Sequence, residues 1–190
     1  MFGKCLSGEI TQRKKWSEKM ENRINFSYAK RKKDLYRFWE RRNEYFLNDI
    51  IPNREAGDPI TKSDIDWFFS KEYKDHIMML HKRKTDPLCI VFINDGNINI
   101  GFIVYVIYSS EDGKCFILDY CIYPEYRSKG IGKTAFYLLQ KDFIKKGATY
   151  IDLNISNSNN EKFWTSIGFA KTAIKDERNK FIYRKMLSSE

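Results

Sequence analysis

Residues 119–146 constrain the fold more than any other stretch, because they join a strand to a helix through a basic turn that contains glycine. The strand, Cys115 to Tyr123, is apolar and aromatic enough to be buried, and a proline ends it. From Ile131 onward, apolar residues recur at helical spacing as far as Gly147, and glycine commonly ends helices. The pattern predicts a strand, a tight turn and a helix in succession.

The turn has the chemistry of a phosphate site. Gly130 and Gly132 stand at the predicted start of the helix, where glycines let bare N–H groups converge on an anion. The helix dipole places its positive end at the same point. Arg127, Lys129 and Lys133 add positive charge. The turn is therefore predicted to bind a ligand that carries a pyrophosphate.

Three motifs compete for this turn. Residues 130–135 match the dinucleotide fingerprint GxGxxG/A, but too little chain follows them to complete a doubly wound domain. Residues 132–134 resemble the end of a nucleoside-triphosphate loop, GxxxxGK[ST]. The first glycine of that loop would stand at position 127, which is Arg127. The third motif, [RQ]xxGx[GA], is complete, with Arg127 followed by Gly130 and Gly132.

This third motif, after a strand, resembles the pyrophosphate loop of the GCN5-related N-acetyltransferase (GNAT) family. A later stretch resembles the family's NxxAxxFYxxxGF segment and reads Asn157-x-x-Asn160-x-x-Phe163-Trp164-x-x-x-Gly168-Phe169. It follows a predicted strand, as in the family. Two residues depart from the family pattern, since Asn160 replaces a small residue and Trp164 replaces a tyrosine.

The resemblance implies a single-domain α/β (α+β) fold with a mixed, mostly antiparallel central sheet flanked by helices. We expect the family-like domain to cover residues 24–190 and a basic extension to cover residues 1–23. Asp-Gly pairs at 95–96 and 112–113 predict two antiparallel hairpins.

The remaining elements are predicted from periodicity and capping signals. Strands are expected at Ile24 to Ala29, Leu88 to Ile93, Ile98 to Tyr108, Tyr150 to Ser156, and in a hairpin of Phe169 to Lys175 with Phe181 to Leu187. Helices are expected at Lys33 to Leu47, from Thr61 or Ser63 toward Leu80 with or without a break, and at Asn159 to Ser166. Ile50 to Pro59 is expected to be a loop.

The resemblance also implies acetyl-CoA as the cofactor and an N-acetyltransferase that moves its acetyl group to a primary amine by direct attack. The residues expected to contact the cofactor are Cys121, Ile122, Tyr123, Arg127, Ser128, Lys129, Gly130, Ile131, Gly132, Lys133, Asn157, Asn160 and Trp164. Backbone N–H groups at the end of the strand that precedes the turn could stabilise an oxyanion. The Asn157 side chain is placed like the family asparagine that bonds the pantetheine arm.

Asp119 is the candidate catalytic base, because it is the carboxylate within the strand that leads to the turn. It could instead be a structural carboxylate that bonds to neighbouring backbone or to a lysine. The family tyrosine replaced by Trp164 commonly protonates the departing thiolate, and an indole N–H cannot supply that proton. Trp164 is therefore expected to form an apolar wall at the thioester or to fill the core.

Composition predicts a cytoplasmic protein. Residues 1–22 are mostly polar and basic, unlike a signal peptide, and no apolar run is long enough to span a bilayer. The four cysteines form no CxxC pair and indicate buried thiols in a reducing compartment. His76 and His81 miss the i, i+4 spacing of a helical zinc pair, so no metal site is predicted.

The net charge of +9 is concentrated near the N-terminus, where residues 1–49 hold thirteen Lys or Arg against seven Asp or Glu. Such a charge excess could face RNA or an anionic surface, but a solvated helix face is the favoured interpretation. Three functions stay open: an acetyltransferase for a small-molecule or peptide amine, one for an RNA-bound acceptor, and a binder of acyl-CoA that transfers nothing. No motif identifies the acceptor.

Overall fold

A seven-stranded sheet runs through the middle of the molecule. The computed structural model describes residues 21–54 and 60–188. The strands are β1 (Ile24–Tyr28), β2 (Cys89–Asp95), β3 (Ile98–Tyr108), β4 (Lys114–Ile122), β5 (Tyr150–Asn154), β6 (Ala170–Lys175) and β7 (Phe181–Met186). Their order across the sheet is β1-β2-β3-β4-β5-β7-β6. Neighbouring strands are antiparallel except β4 and β5, which are parallel.

Helices cover both faces of this sheet. They are α1 (Lys32–Tyr45), α2 (Lys62–Phe69), α3 (Lys71–Lys82), α4 (Ile131–Lys145) and α5 (Ser158–Thr165). A π-helical turn, Phe46–Ile50, extends α1, and a 3₁₀ turn, Pro124–Tyr126, follows β4. The predicted second helix is two helices, because Ser70 leaves the helical conformation and caps α3 by accepting a hydrogen bond from the Tyr73 N–H.

The two faces of the sheet carry separate apolar layers. One layer joins α4 and α5 to the sheet through side chains such as Phe136, Phe143 and Trp164. The other joins α1 and α3 to the opposite face through side chains such as Phe38 and Ile77. The alternation of side chains along β3 supplies both layers at once, which explains why this strand is apolar along most of its length.

The sheet opens between its two parallel strands. β4 pairs with β5 through Lys114 to Ile117, and beyond that point β4 continues with β3 as its partner. The β3–β4 register shifts at this point, so that Leu118 is an extra residue on β4. Such a bulge bends a strand and increases its twist. The result is a V-shaped opening beside residues 118–122 of β4.

The predicted fold class is confirmed as a mixed, mostly antiparallel sheet with helices on both faces. Both Asp-Gly hairpins are present, and the observed ends of the elements differ from the predicted ones by a few residues. The main difference is the π-helical turn, which continues the helix into the expected loop. Residues 1–20 of the predicted extension and residues 55–59 of that loop lie outside the described residues. None of the described helices is long and apolar enough to cross a membrane.

Candidate active site

The opened edge of β4 presents backbone donors to solvent. The Tyr123 N–H donates to the Ile100 carbonyl of β3, at 2.9 Å between N and O. Because bonding alternates along an antiparallel pair, the N–H groups of Ile122 and Tyr120 point away from β3. The Ile122 carbonyl confirms this direction, since it accepts a hydrogen bond from Nε of Arg127 at 2.6 Å. Two N–H groups of β4 therefore face the V-shaped opening.

The turn after β4 forms a second set of donors. Ser128 and Gly130 have φ values of 61° and 74°, and this left-handed pair curls the chain into α4. The first helical hydrogen bond runs from the Thr134 N–H to the Gly130 carbonyl at 3.1 Å. The N–H groups of residues 131–133 are therefore outside the helical ladder, and no side chain caps them. This arrangement suits a phosphate group.

Arg127 is tied to protein groups in this turn. Its guanidinium forms a bidentate ion pair with Asp49 of the π-helical turn, with N–O distances of 2.7 and 2.6 Å. The Asp49 carboxylate raises the pKa of Arg127 further above its usual value. The sequence suggested that Arg127 adds charge for a ligand, but Asp49 balances that charge. Lys133 also lines the opening, so its ammonium group could interact with a ligand there.

Asn157 and Asn160 lie on the opposite wall, at the start of α5. The Asn157 Oδ1 caps this helix by accepting the Asn160 N–H at 2.9 Å. Its Nδ2 lies 3.5 Å from the Ser156 hydroxyl, which is the limit of a hydrogen bond. The Nδ2 group is thus the part of Asn157 that can donate to a ligand. Asn160 donates to the Ser156 hydroxyl through its own side chain.

These groups enclose a cleft of about 720 Å³, which we call the cofactor cleft. Of the residues predicted to contact the cofactor, it is lined by Cys121, Ile122, Arg127, Ser128, Gly130, Gly132, Lys133, Asn157 and Asn160. Tyr123, Lys129, Ile131 and Trp164 do not line it. Within the described ranges, no group of three or more His, Cys, Asp or Glu side chains could hold a metal ion.

A second cavity of about 460 Å³, the acceptor cavity, lies on the other side of the same opening. Aromatic residues form much of its wall, including Phe46, Phe68 and Trp164. It is also lined by Tyr45, Ile50, Tyr120, Asn160 and Phe163, all of which line the cofactor cleft as well. The two spaces therefore meet beside Tyr120 of β4.

Asp119 lies in the wall of the acceptor cavity and is half-buried. No hydrogen bond to its carboxylate is present among the described residues. Burial raises the pKa of Asp119, and the positive charge of Arg42 partly opposes that increase. Arg42 is itself buried, donates from Nη1 to the Phe68 carbonyl at 2.8 Å and lies 3.7 Å from the Phe46 ring centroid. Among the described residues, no hydrogen bond engages the Asp119 carboxylate, and the residue lines open space.

Trp164 is buried in an aromatic cluster. Its ring lies 5.0 to 5.5 Å from the centroids of Phe163, Phe169, Phe136 and Tyr120, mostly edge to face. Trp164 also lines the acceptor cavity. The two expectations for Trp164 are therefore compatible, because the residue fills the core and also forms an apolar wall. Its position belongs to the acceptor cavity and not to the cofactor cleft.

Tyr45, Tyr120 and Asp49 also belong to the site, and the sequence did not single them out as site residues. Tyr45 lines both cavities from the end of α1, and Tyr120 does so from β4 while its hydroxyl donates to the Gly132 carbonyl at 2.7 Å. Asp49 lines the cofactor cleft and holds Arg127. Tyr120 stands between two predicted site residues, which is a local signal. Tyr45 and Asp49 carry none, because the chain brings them there from a distant helix.

Comparisons with known proteins identify the family. The family model described as the acetyltransferase (GNAT) family matches residues 58–169, more than half of the chain. A comparison with curated protein sequences found no match.

Solved structures share the fold. PaiA N-acetyltransferase from Thermoplasma acidophilum, in complex with coenzyme A, is 23% identical with a TM-score of 0.61, over 86% of this chain and 99% of that one. An acetyl transferase from Salmonella typhimurium that modifies the N-terminal serine of a 50S ribosomal subunit protein is 10% identical, with a TM-score of 0.58 over 87% and 95%. YncA of the same organism, solved with acetyl-CoA, is 18% identical, with a TM-score of 0.51 over 88% of this chain and 96% of that one.

The chain belongs to the acetyltransferase (GNAT) family and is an enzyme that moves an acetyl group from acetyl-CoA to an amine.

Proposed function

We propose that acetyl-CoA occupies the cofactor cleft and that a primary amine enters from the acceptor cavity and attacks the acetyl group directly. The observation that carries this proposal is the junction of the two cavities beside β4. An acetyl group at that junction would be attached to CoA on the cofactor-cleft side and would be open to the amine on the acceptor-cavity side. Structural neighbours solved with coenzyme A or acetyl-CoA support the assignment of the ligand.

The donors of the cofactor cleft have the chemistry that this ligand requires. The uncapped N–H groups of residues 131–133, with the Lys133 ammonium nearby, would hold the pyrophosphate. The N–H groups of Ile122 and Tyr120 would bond the pantetheine arm and the acetyl oxygen, and the Asn157 Nδ2 would donate from the opposite wall. An N–H placed at the acetyl oxygen stabilises the negative charge that develops there.

Asp119 is the proposed base. Acetyl-CoA supplies the acetyl group as a thioester. An amine must lose a proton before it can attack, and Asp119 lines the acceptor cavity with no competing hydrogen bond from the part of the chain that the structure describes. In the transfer the C–N bond forms, the C–S bond breaks, and the amine proton passes to Asp119 or, through water, to solvent. A thiol has a pKa near 8.5, so the sulfur can leave as a thiolate without a dedicated acid.

Direct attack is favoured over a thioester on the enzyme. Cys121 lines the cofactor cleft, so it is the cysteine that could accept an acetyl group there. Its thiol is buried, and burial raises its pKa to about 12. A thiol with that pKa is almost entirely protonated near neutral pH and is a poor nucleophile. The amine itself is therefore the proposed attacking group.

The proposed acceptor is a small molecule or a peptide with a free amine. The acceptor cavity is small enough to select one chain end or one compact ligand, and one structural neighbour acts on a protein N-terminus. The basic N-terminal third, which suggested an RNA-bound acceptor, includes residues outside the described ranges. A nucleic-acid partner stays an alternative that is not favoured.

The proposal is tested by thiol release from acetyl-CoA with a broad panel of amines and peptides, with the products identified by mass spectrometry. We expect one acetyl group on the acceptor and no acetylated enzyme when the acceptor is omitted. An acetylated Cys121 that transfers its acetyl group on addition of the amine would contradict direct attack.

A further inference from the structure

The acceptor cavity has charges of opposite sign in different parts of its wall. Asp119 is the carboxylate on β4, next to the junction with the cofactor cleft. Arg54, from the segment after the π-helical turn, also lines the cavity, as do Arg178 and Lys180 of the β6–β7 turn. Asp176 of the same turn lines the cavity too, so a substrate meets one acidic group near the reaction centre and, away from it, three basic groups beside one acidic group.

The basic groups of the β6–β7 turn are held in place by Asp176. Its Oδ1 accepts hydrogen bonds from the N–H groups of Arg178 and Lys180, at 2.9 and 2.8 Å. The Asp176 N–H donates to the Lys180 carbonyl at 2.9 Å. Because the Asp176 carboxylate is engaged with backbone, it serves to shape the turn. The turn consequently presents its two cationic side chains from a fixed backbone.

Aromatic rings separate the two kinds of charge. The Arg178 guanidinium carbon lies 5.4 Å from the centroid of Phe68, which lines the same cavity. Phe46 and Trp164 continue the apolar wall toward the junction. An arginine that lies against a ring and projects into a cavity is well suited to bind a carboxylate or a phosphate.

The geometry points to an acceptor that carries an anionic group, a carboxylate or a phosphate, joined to its amine by an apolar or aromatic spacer. The amine would lie near Asp119 and the anionic group near Arg178. A polyamine would place a second positive charge against this cation and would be disfavoured. This inference rests on the proposed function, because it assigns the substrate class of the same cavity.

A matched series of amines tests it. Tyramine, its O-phosphate, its O-carboxymethyl ether and its O-aminoethyl ether share one amine and one ring and differ in the charge of the tail. Their dissociation constants are measured on the full chain by calorimetry, with and without coenzyme A, because binding does not require the acceptor to react. We expect the phosphate or the carboxylate to bind at least tenfold more tightly than tyramine and the aminoethyl ether to bind more weakly. The stronger of the two anionic compounds identifies the group that the cavity prefers.

Substitutions test whether Arg178 causes the preference for an anionic tail. Arg178→Gln should weaken binding of the preferred anionic compound by about tenfold and change tyramine binding by less than about twofold. Lys145→Gln removes the same charge from an exposed position that does not line the cavity and should change neither. Added salt should reduce the preference, because charges at an open cavity are screened.

Equal or tighter binding of tyramine or of the aminoethyl ether would overturn the inference, as would an anion preference that survives Arg178→Gln together with Lys180→Gln. Failure of the proposed function gives a different result, because coenzyme A itself would then fail to bind. The tail series is still decisive in that case, since it is also measured on the chain alone.

Discussion

Asp119 is the residue on which the proposed chemistry depends most. It is half-buried, faces the acceptor cavity and lacks a hydrogen-bond partner among the described residues. Burial raises its pKa above the usual value of about 3.9. A base must be deprotonated to act, so activity should rise with pH through this raised pKa.

Asp119→Asn tests that role. We expect kcat/KM to fall by roughly 10²–10⁴-fold while the affinity for acetyl-CoA barely changes. The acidic limb of the pH profile that belongs to the Asp119 carboxyl should also disappear. Turnover and a pH profile like those of the wild type would show that Asp119 is not the base.

The same pKa predicts a pH-dependent stability. In the folded chain the Asp119 carboxyl binds its proton more tightly than in the unfolded chain, because its pKa is raised. Its favourable contribution is therefore present below the unfolded-state pKa and is lost as pH rises through the folded-state pKa. Compared with the wild type, Asp119→Asn should gain free energy of unfolding between about pH 3 and pH 8. Urea unfolding at both pH values measures this, and a constant difference would contradict the raised pKa.

For Trp164 we predict that a substitution leaves most of the activity intact, in contrast to Asp119. Trp164→Phe keeps an aromatic ring in the cluster with Phe136 and Phe169 and removes the indole N–H. We expect most of the activity to remain, with a modest loss of stability from the smaller ring. Steady-state rates and thermal unfolding separate the two effects. A collapse of kcat in a folded variant that still binds acetyl-CoA would show that the indole N–H takes part in the reaction.

Single residues of the turn could be predicted because their roles are local. Gly130 has a positive φ, a conformation that favours glycine, and the motif marks its position. The partner of Arg127 could not be predicted in the same way. Asp49 is 78 residues away in sequence, and no local pattern connects the two positions. The sequence therefore located the cation and could not show that its charge is already balanced.

At the scale of elements, the Asp49–Arg127 ion pair joins the π-helical turn to the turn that precedes α4. The first of these elements lines both cavities, and the second provides the uncapped N–H groups. The Arg127 Nε also bonds the Ile122 carbonyl of β4. One side chain thus connects three elements at the cofactor cleft.

Asp49→Asn should lower the free energy of unfolding by about 1 kcal/mol, because it removes a bidentate, charge-assisted contact. The expected loss is small because the Arg127 side chain is 38% exposed, so water weakens the ion pair. Glu44→Gln is the matched control, since it breaks the more exposed Arg41–Glu44 pair and should cost less than about 0.5 kcal/mol. Urea unfolding measures both, and equal losses would show that the Asp49–Arg127 pair has no special structural role.

Most elements could be predicted from local signals, and the opening of the sheet could not. The Asp-Gly turns fix the two hairpins, and the apolar spacing after Ile131 defines α4. The separation of β4 from β5 depends on the extra residue Leu118, which is an ordinary apolar residue in a strand. Its bulge becomes visible when the register with β3 is known. The acceptor cavity likewise needs side chains from distant elements, so the sequence could not describe it.

At the scale of the whole molecule, the proposed acetyl-CoA site and the proposed amine site lie in two adjoining cavities. The cofactor cleft lies toward the start of α4, the acceptor cavity lies toward α2, α3 and the β6–β7 turn, and the two meet at β4. The fold and the reaction class followed from two motifs in order. The residues that line the acceptor cavity could be identified only from the tertiary structure.

The most direct test of the account is the affinity for acetyl-CoA of the wild type, Gly130→Asp and Gly96→Asp, measured by calorimetry. Gly96 also has a positive φ, lies in the β2–β3 hairpin and has open space around an added side chain, so it controls for strain and charge. We predict that Gly130→Asp loses at least tenfold in affinity, about 1.4 kcal/mol, because its carboxylate lies where the pyrophosphate should bind, and that Gly96→Asp binds like the wild type. Unchanged affinity in a folded Gly130→Asp variant would contradict the account.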